Sequence, residues 1–181
     1  ESVTPSVVRL FTASKDAEGK DTEVFLGLGV VVSKDGTVAT DVAVLPASGS
    51  VIILLQGGTK VPGTFISSDA ASGLALLQGA TSTAEGDVVW KSASFSASEP
   101  VLGETVISIS GRTATRLSDG IVTVLPPQDP EASAPRIVEV SILAGSIAYG
   151  SPFINNRGEI VGISTTASRA VAEGAYLASK S

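Results

Sequence analysis

Ser146, Tyr149 and Ser151 lie close together in the stretch AGSIAYGSPFINNRGEIVGIST, Ala144 to Thr165. Any of these hydroxyls is a candidate nucleophile for acyl transfer. A hydroxyl is weak at its own pKa, however, and needs a neighbouring base to take its proton and an acid to orient that base. The side chain suited to this at neutral pH is an imidazole. The 181 residues contain no histidine. They contain no cysteine either, which excludes a thiol nucleophile, a zinc-thiolate site and a disulfide framework. A serine-lysine pair would need Lys60 or Lys91 delivered to Ser146 or Ser151, and nothing in the spacing signals it. Tyr149 reads as a ring packed over small apolar neighbours, filling space rather than moving protons.

The elements that must position these residues are strands. Hydrophobic residues make up 43% of the chain and charged ones 17%, the balance of a sequence with a real core. Aromatics are scarce, and short runs of Val, Ile, Thr and Leu recur between Gly, Ser, Asp and Pro, as in many-stranded sandwiches and barrels. Strands are predicted near 6–12, 23–33, 37–41, 50–56, 60–67, 74–78, 104–110, 112–117, 120–125, 136–141, 152–154, 159–164 and 174–178. The turns Ser33–Gly36 and Asn155–Gly158 each place a glycine where positive φ is wanted. Helical signal is weak and confined to Thr40–Leu45 and the C-terminus. A polar, serine-rich segment at 81–100 divides the strands into two comparable groups. The expectation is an all-β chain: one domain over 1–181, with an N-terminal barrel at 1–80, the connection, and a C-terminal barrel at 101–181.

A net charge of −6 argues against nucleic acid or anionic lipid as partners. The most apolar run, Val24–Val32, is far shorter than the roughly 18 residues a membrane-spanning helix needs and is broken by glycines. It reads as a buried strand, so no membrane insertion is expected within this segment. Neither end looks like a signal peptide, and any anchor is expected outside these residues.

Taken in order, five segments resemble the HtrA (high-temperature-requirement) family of trypsin-like serine proteases. TPSVVRLFT (Thr4–Thr12) is similar to its opening strand, and GLGVVVSKDGTVATDVAVL (Gly27–Leu45) to its GSGVIIxxDGxIxTNxHVV. ISSDAASGLALLQ (Ile66–Gln78) is similar to DxxxDLALL, LGETVISIS with LSDGIVTVL (from Leu102 and Leu117) to GxxVxAIGxP with TVTxGIVS, and AYGSPFINNRGEIVGIST (Ala148–Thr165) to GNSGGPLxNxxGExIGINT. The resemblance implies two packed six-stranded antiparallel β-barrels of the trypsin-like (chymotrypsin-type) fold with little helix. It assigns the triad's His, Asp and Ser slots to Ala43, Gly73 and Tyr149, none of which carries the family's residue. The glycine whose N–H faces the oxyanion falls on Ile147, a β-branched residue that resists unusual φ. The expectation is therefore an inactive pseudoprotease with no cofactor and no metal. In the family, substrates add as a strand beyond the nucleophile hairpin, which falls here on Ser164, Thr165, Thr166, Ala167, Ser168 and Arg169. That edge is the expected site for a protein or peptide partner, by β-augmentation. A structural or assembly spacer in a larger envelope protein is the alternative, and a hydrolase with a relocated nucleophile the remote one. The resemblance also implies an extracytoplasmic setting.

Four weaker signals remain. Asp16, Glu18, Asp21 and Glu23 lack the spacing of a calcium loop and read as a solvated hairpin tip. Pro126–Pro135 reads as a rigid surface loop. Trp90 is expected to cover the seam between the barrels. Arg112 and Arg116 read as a solvated strand edge, with acidic peptide groups as the functional alternative.

Overall fold

The structure is a computed structural model that describes residues 3–47, 50–126 and 136–179. Burial alternates along several of the strands. Along Leu74–Gly79 the residues Ala75, Leu77 and Gly79 are buried and those between them half-buried, as a pleated strand requires. Six strands build the first barrel: β1 (Val7–Lys15), β2 (Asp21–Val31), β3 (Thr37–Asp41), β4 (Val51–Leu54), β5 (Lys60–Asp69) and β6 (Leu74–Gly79). They close in the order β1-β2-β3-β6-β5-β4, antiparallel throughout. A small hairpin, β7 (Ser82–Thr83) with β8 (Gly86–Asp87), lies in the connection.

The second barrel comprises β9 (Thr105–Ser110), β10 (Arg116–Val124), β11 (Ile137–Val140), β12 (Pro152–Ile154), β13 (Ile160–Ile163) and β14 (Ala175–Ala178). Its order is β10-β11-β14-β13-β12-β9, also antiparallel and closed. Closure leaves neither barrel a free edge. The only α-helix among the described residues is α1 (Thr166–Val171). Gly36 and Gly158 take positive φ in their turns, as expected.

Three apolar clusters hold this together. One fills the first barrel, with Val8, Leu10, Val38, Ile53 and Leu77. Another fills the second, with Val106, Val138, Phe153 and Tyr176. The third is the seam, where Leu28, Val30 and Ala39 of the first barrel meet Ile109, Ile154, Ile160 and Ile163 of the second. Fully burying one such side chain contributes about 1.5–3 kcal/mol. A shared apolar seam makes the two barrels one packed body.

Several expectations need correction. The strands expected at 112–117 and 120–125 are one strand, β10. The Ser118–Asp119–Gly120 stretch reads as a turn by composition, but it keeps unbroken register with β9, Gly120 opposite Val106. Trp90 does not cover the seam. It packs in the first barrel's cluster with its indole N–H donating to the Ala80 carbonyl at 3.2 Å, and it lies so close on Gly79 that a β-carbon there would stand 2.3 Å from the ring.

The proposed strand edge at Ser164–Arg169 is not extended. Thr165 caps α1 reciprocally: its hydroxyl accepts the Ser168 N–H, and the Ser168 hydroxyl accepts the Thr165 N–H at 3.0 Å. Thr166, Ala167 and Arg169 therefore turn into helix, while Ser164, Thr165 and Ser168 are fully buried. No partner strand can pair along this segment in that state. The acidic stretch at 14–23 is the β1-β2 hairpin: Asp16 accepts the Glu18 and Lys20 N–H groups, Asp21 pairs with Lys15 and Glu23 with Lys60. Residues 127–135 of the proline-rich stretch lie outside the described residues.

Candidate functional site

Ala43 sits on a 3-10 turn, Val42–Val44, that leaves the end of β3. Asp41 starts this turn by accepting the Ala43 N–H at 3.0 Å, and its carboxylate is fully buried. The adjacent Val42 N–H donates to the Gly73 carbonyl at 2.8 Å, tying the first position to the second. Gly73 follows a tight turn in which Asp69 accepts the Ala71 and Ser72 N–H groups. The Ser72 hydroxyl, then those two N–H groups, hold the Asp69 carboxyl below the usual carboxylate range. Gly73 itself is at φ +69°, and a β-carbon there would lie 3.1 Å from the Ala167 nitrogen.

Two hydroxyls of the second barrel reach across to these turns. Thr165 donates to the Ser72 carbonyl at 2.7 Å, and Thr166 shares its proton between both Asp41 carboxylate oxygens at 2.9 Å each. Tyr149 joins from the other side. Its carbonyl accepts the Leu28 N–H at 2.8 Å, and Gly27 is so tightly placed that a β-carbon would come within 2.6 Å of Val44 and 2.8 Å of the Tyr149 carbonyl oxygen. The segments carrying Ala43, Gly73 and Tyr149 thus converge at the junction of the barrels.

Tyr149 is not a core filler. Its side chain is exposed, at 44%, with the Arg169 guanidinium 4.7 Å above the ring. The pair is a cation-π contact at the surface. The ring that does fill core is Tyr176, fully buried and stacked on Phe153 at 4.7 Å. Ile147 is the opposite of Tyr149. Its backbone is extended, at φ −112°, its side chain is buried in the second barrel's cluster, and its N–H donates to the Ala144 carbonyl at 3.0 Å.

Ser151 is used structurally. Ser151 is fully buried and its hydroxyl accepts the Ala148 N–H at 3.0 Å. Lys60 is held by Glu23 at 2.8 Å, and Lys91 lines a cleft with Val3, Pro5 and Trp90 that includes neither Ser146 nor Ser151. Among the described residues no three of His, Cys, Asp or Glu gather in a metal-holding group.

Residues 27–163 match the trypsin-like peptidase domain family. The chain belongs to that family. Within it, this trypsin-like peptidase domain is 30% identical to the serine protease Do-like HtrA of Bacillus subtilis (strain 168) over 169 residues, covering 86% of this chain and 36% of that one. It is 27% identical to the serine endoprotease DegS of Haemophilus influenzae over 172 residues, with 89% and 48% covered. The chain therefore spans well under two thirds of these relatives. Among solved structures, an HtrA-type protease, AlgW with decapeptide, superposes with a TM-score of 0.73 at 17% identity, over 91% of this chain and 56% of that one. That likeness is one of fold.

Two features of this trypsin-like domain went unread in its sequence: the Asp41-Thr166 bridge and the Tyr149-Arg169 pair. The capping pattern Thr165-x-x-Ser168 was the available signal for the first, because it starts the helix that carries Thr166 and Arg169.

Proposed function

We propose that the chain is a catalytically inactive trypsin-like domain, HtrA-related, that serves as a protein- or peptide-binding and regulatory module of a larger envelope protein. The observation that carries the reading is the absence of any histidine, so that no alignment of the triad slots supplies an imidazole base. Ala43, Gly73 and Tyr149 stand in those slots. Losing triad members costs on the order of 10⁴ to 10⁶ in turnover. The Ile147 N–H, which the resemblance assigns to the oxyanion hole, is engaged by Ala144, and this supports the same conclusion.

The binding half of the proposal moves from the lost strand edge to the exposed face of Tyr149 and Arg169. An aromatic ring with a guanidinium on it, half open to solvent, is the composition that recognition surfaces favour. The decapeptide named with AlgW supports a peptide as the kind of ligand. The same relatives motivate an extracytoplasmic location, which fractionation of the native source tests: recovery with the cytoplasmic fraction refutes it.

Incubation with casein and with a fluorophosphonate probe tests the catalytic half. No cleavage and no labelling are expected. Labelling of Ser146 or Ser151 would revive a relocated nucleophile. Backbone amide shifts during titration with a random peptide pool test the binding half, and silence at Tyr149 and Arg169 refutes it.

A further inference from the structure

Beside the loop that ends in Tyr149 lies a cavity of about 460 Å³, within the range of small-ligand sites. One wall is the loop between β9 and β10, from Ser110 to Arg116, and the other is Gly145 to Ala148. Its lining includes the two cations Arg112 and Arg116 and no carboxylate. Both arginines are exposed. The ion pairs among the described residues use Lys15, Lys60, Arg136 and Arg157, so neither guanidinium has an ion-pair partner among those residues, in a chain with 18 acidic residues against 12 basic ones.

The loop that carries them is held in shape from below. Gly111 is at φ +110°, and a β-carbon there would stand 1.9 Å from the Ala114 carbonyl oxygen, so the turn admits only glycine. Arg9, reaching over from β1 of the other barrel, donates its Nε to the Gly111 carbonyl at 3.1 Å and a terminal nitrogen to the Thr115 hydroxyl at 3.3 Å. It also adds a third positive charge at the base of the loop. A loop backbone fixed before binding loses less ordering entropy when a ligand arrives.

Building on the peptide-binding reading above, we propose that this cavity selects acidic peptides. An extended segment lies along Gly145–Tyr149, and its Asp or Glu side chains sit on Arg112 and Arg116. The guanidinium fork matches a carboxylate in two parallel hydrogen bonds, which a lysine cannot reproduce. The chain's net charge of −6 disfavours a long polyanion such as nucleic acid while tolerating a few local carboxylates. Because Ala148 leads directly into Tyr149, a segment filling the cavity continues onto the Tyr149-Arg169 face.

The test uses two pools of acetylated, amidated random peptides, identical except that Asn and Gln replace Asp and Glu in the second. Calorimetric and amide-shift titrations are run on the wild-type chain, on Arg112→Ala/Arg116→Ala and on Arg112→Lys/Arg116→Lys. The acidic pool is expected to bind about tenfold tighter than the amide pool at low salt, which is about 1.4 kcal/mol. The preference shrinks as salt rises, disappears in the alanine double variant without change in the amide pool's affinity, and is only partly kept by the lysines. Equal binding of both pools overturns the inference and leaves the peptide-binding reading standing. Binding of neither overturns both. A preference that survives the alanine double variant overturns the assignment to these arginines, and tighter binding of inorganic phosphate or a single-stranded oligonucleotide overturns the peptide chemistry. The comparison of pools on the wild-type chain needs no variant to fold.

Discussion

The bridge from Thr166 to Asp41 is the bond across the cleft whose loss can be read most directly. Asp41 is fully buried, and among the described residues the donors to its carboxylate are the Ala43 N–H and the Thr166 hydroxyl. Thr166→Ala removes the second and leaves the first. A hydrogen bond to a charged group contributes about 1.5–3 kcal/mol, and a buried acceptor left without its donor costs a similar amount. Thr166 is itself exposed, so water can enter beside the truncated side chain and recover part of this. The expected loss is therefore about 1–2 kcal/mol, near the lower end of the range. At about 2–4 °C per kcal/mol for a domain of this size, the melting temperature falls by roughly 2–8 °C. Thr166→Ser keeps the hydroxyl and should recover most of the loss. Urea unfolding of Thr166→Ala, Asp41→Ala and the double variant gives the coupling, expected at about 1 kcal/mol or more. Additive variants, or a Thr166→Ala midpoint indistinguishable from wild type, would show that the bridge does not hold the barrels together.

Tyr176→Phe should leave stability unchanged or raise it by about 1 kcal/mol, because the buried Tyr176 hydroxyl has no hydrogen-bond partner among the described residues and its removal relieves an unmet desolvation cost. The same variant has a pH signature. Burial, aided by the Glu104 carboxylate and opposed by Arg136, raises the Tyr176 pKa far above its ordinary value. The folded state then keeps a proton that the unfolded chain releases above about pH 10, so stability falls as pH rises past that point. Alkaline unfolding followed by circular dichroism should show this limb in wild type and lose it in Tyr176→Phe. Asp69 predicts the acid side: with its folded pKa lowered, its contribution is present above the ordinary carboxylate range and is lost as pH falls through the lowered value. The Ser72 amide resonance should move with that titration, and Asp69→Asn should abolish the movement. Gly73→Ala should cost about 1–2 kcal/mol from left-handed backbone alone, with more from crowding against Ala167, measured by urea midpoint. An unchanged midpoint would mean that the turn before β6 re-forms freely.

Much of the fold was legible because its signals are local. Short runs of Val, Ile, Thr and Leu and glycine turns such as Ser33–Gly36 mark strands and hairpins without reference to the rest of the chain. What escaped depends on partners distant in sequence. Ser118–Asp119–Gly120 has the composition of a turn, and only pairing with β9 keeps it extended. Thr166 and Arg169 read as strand edge until the reciprocal Thr165-Ser168 cap is recognised, and even then their targets, Asp41 and Tyr149, lie far away along the chain. Tyr149 was misjudged for a related reason: an aromatic among small residues looks buried, whereas the core position two residues earlier is taken by Ile147. These misses bear on one another. An isoleucine at 147 goes inward and carries its N–H to Ala144, the tyrosine at 149 faces outward, and the helix that replaces an open strand brings Arg169 over its ring. Local backbone and side chains agree on a latched junction between the barrels with the Tyr149-Arg169 pair exposed on its rim, and a change at any one of these positions would have to be met by the others.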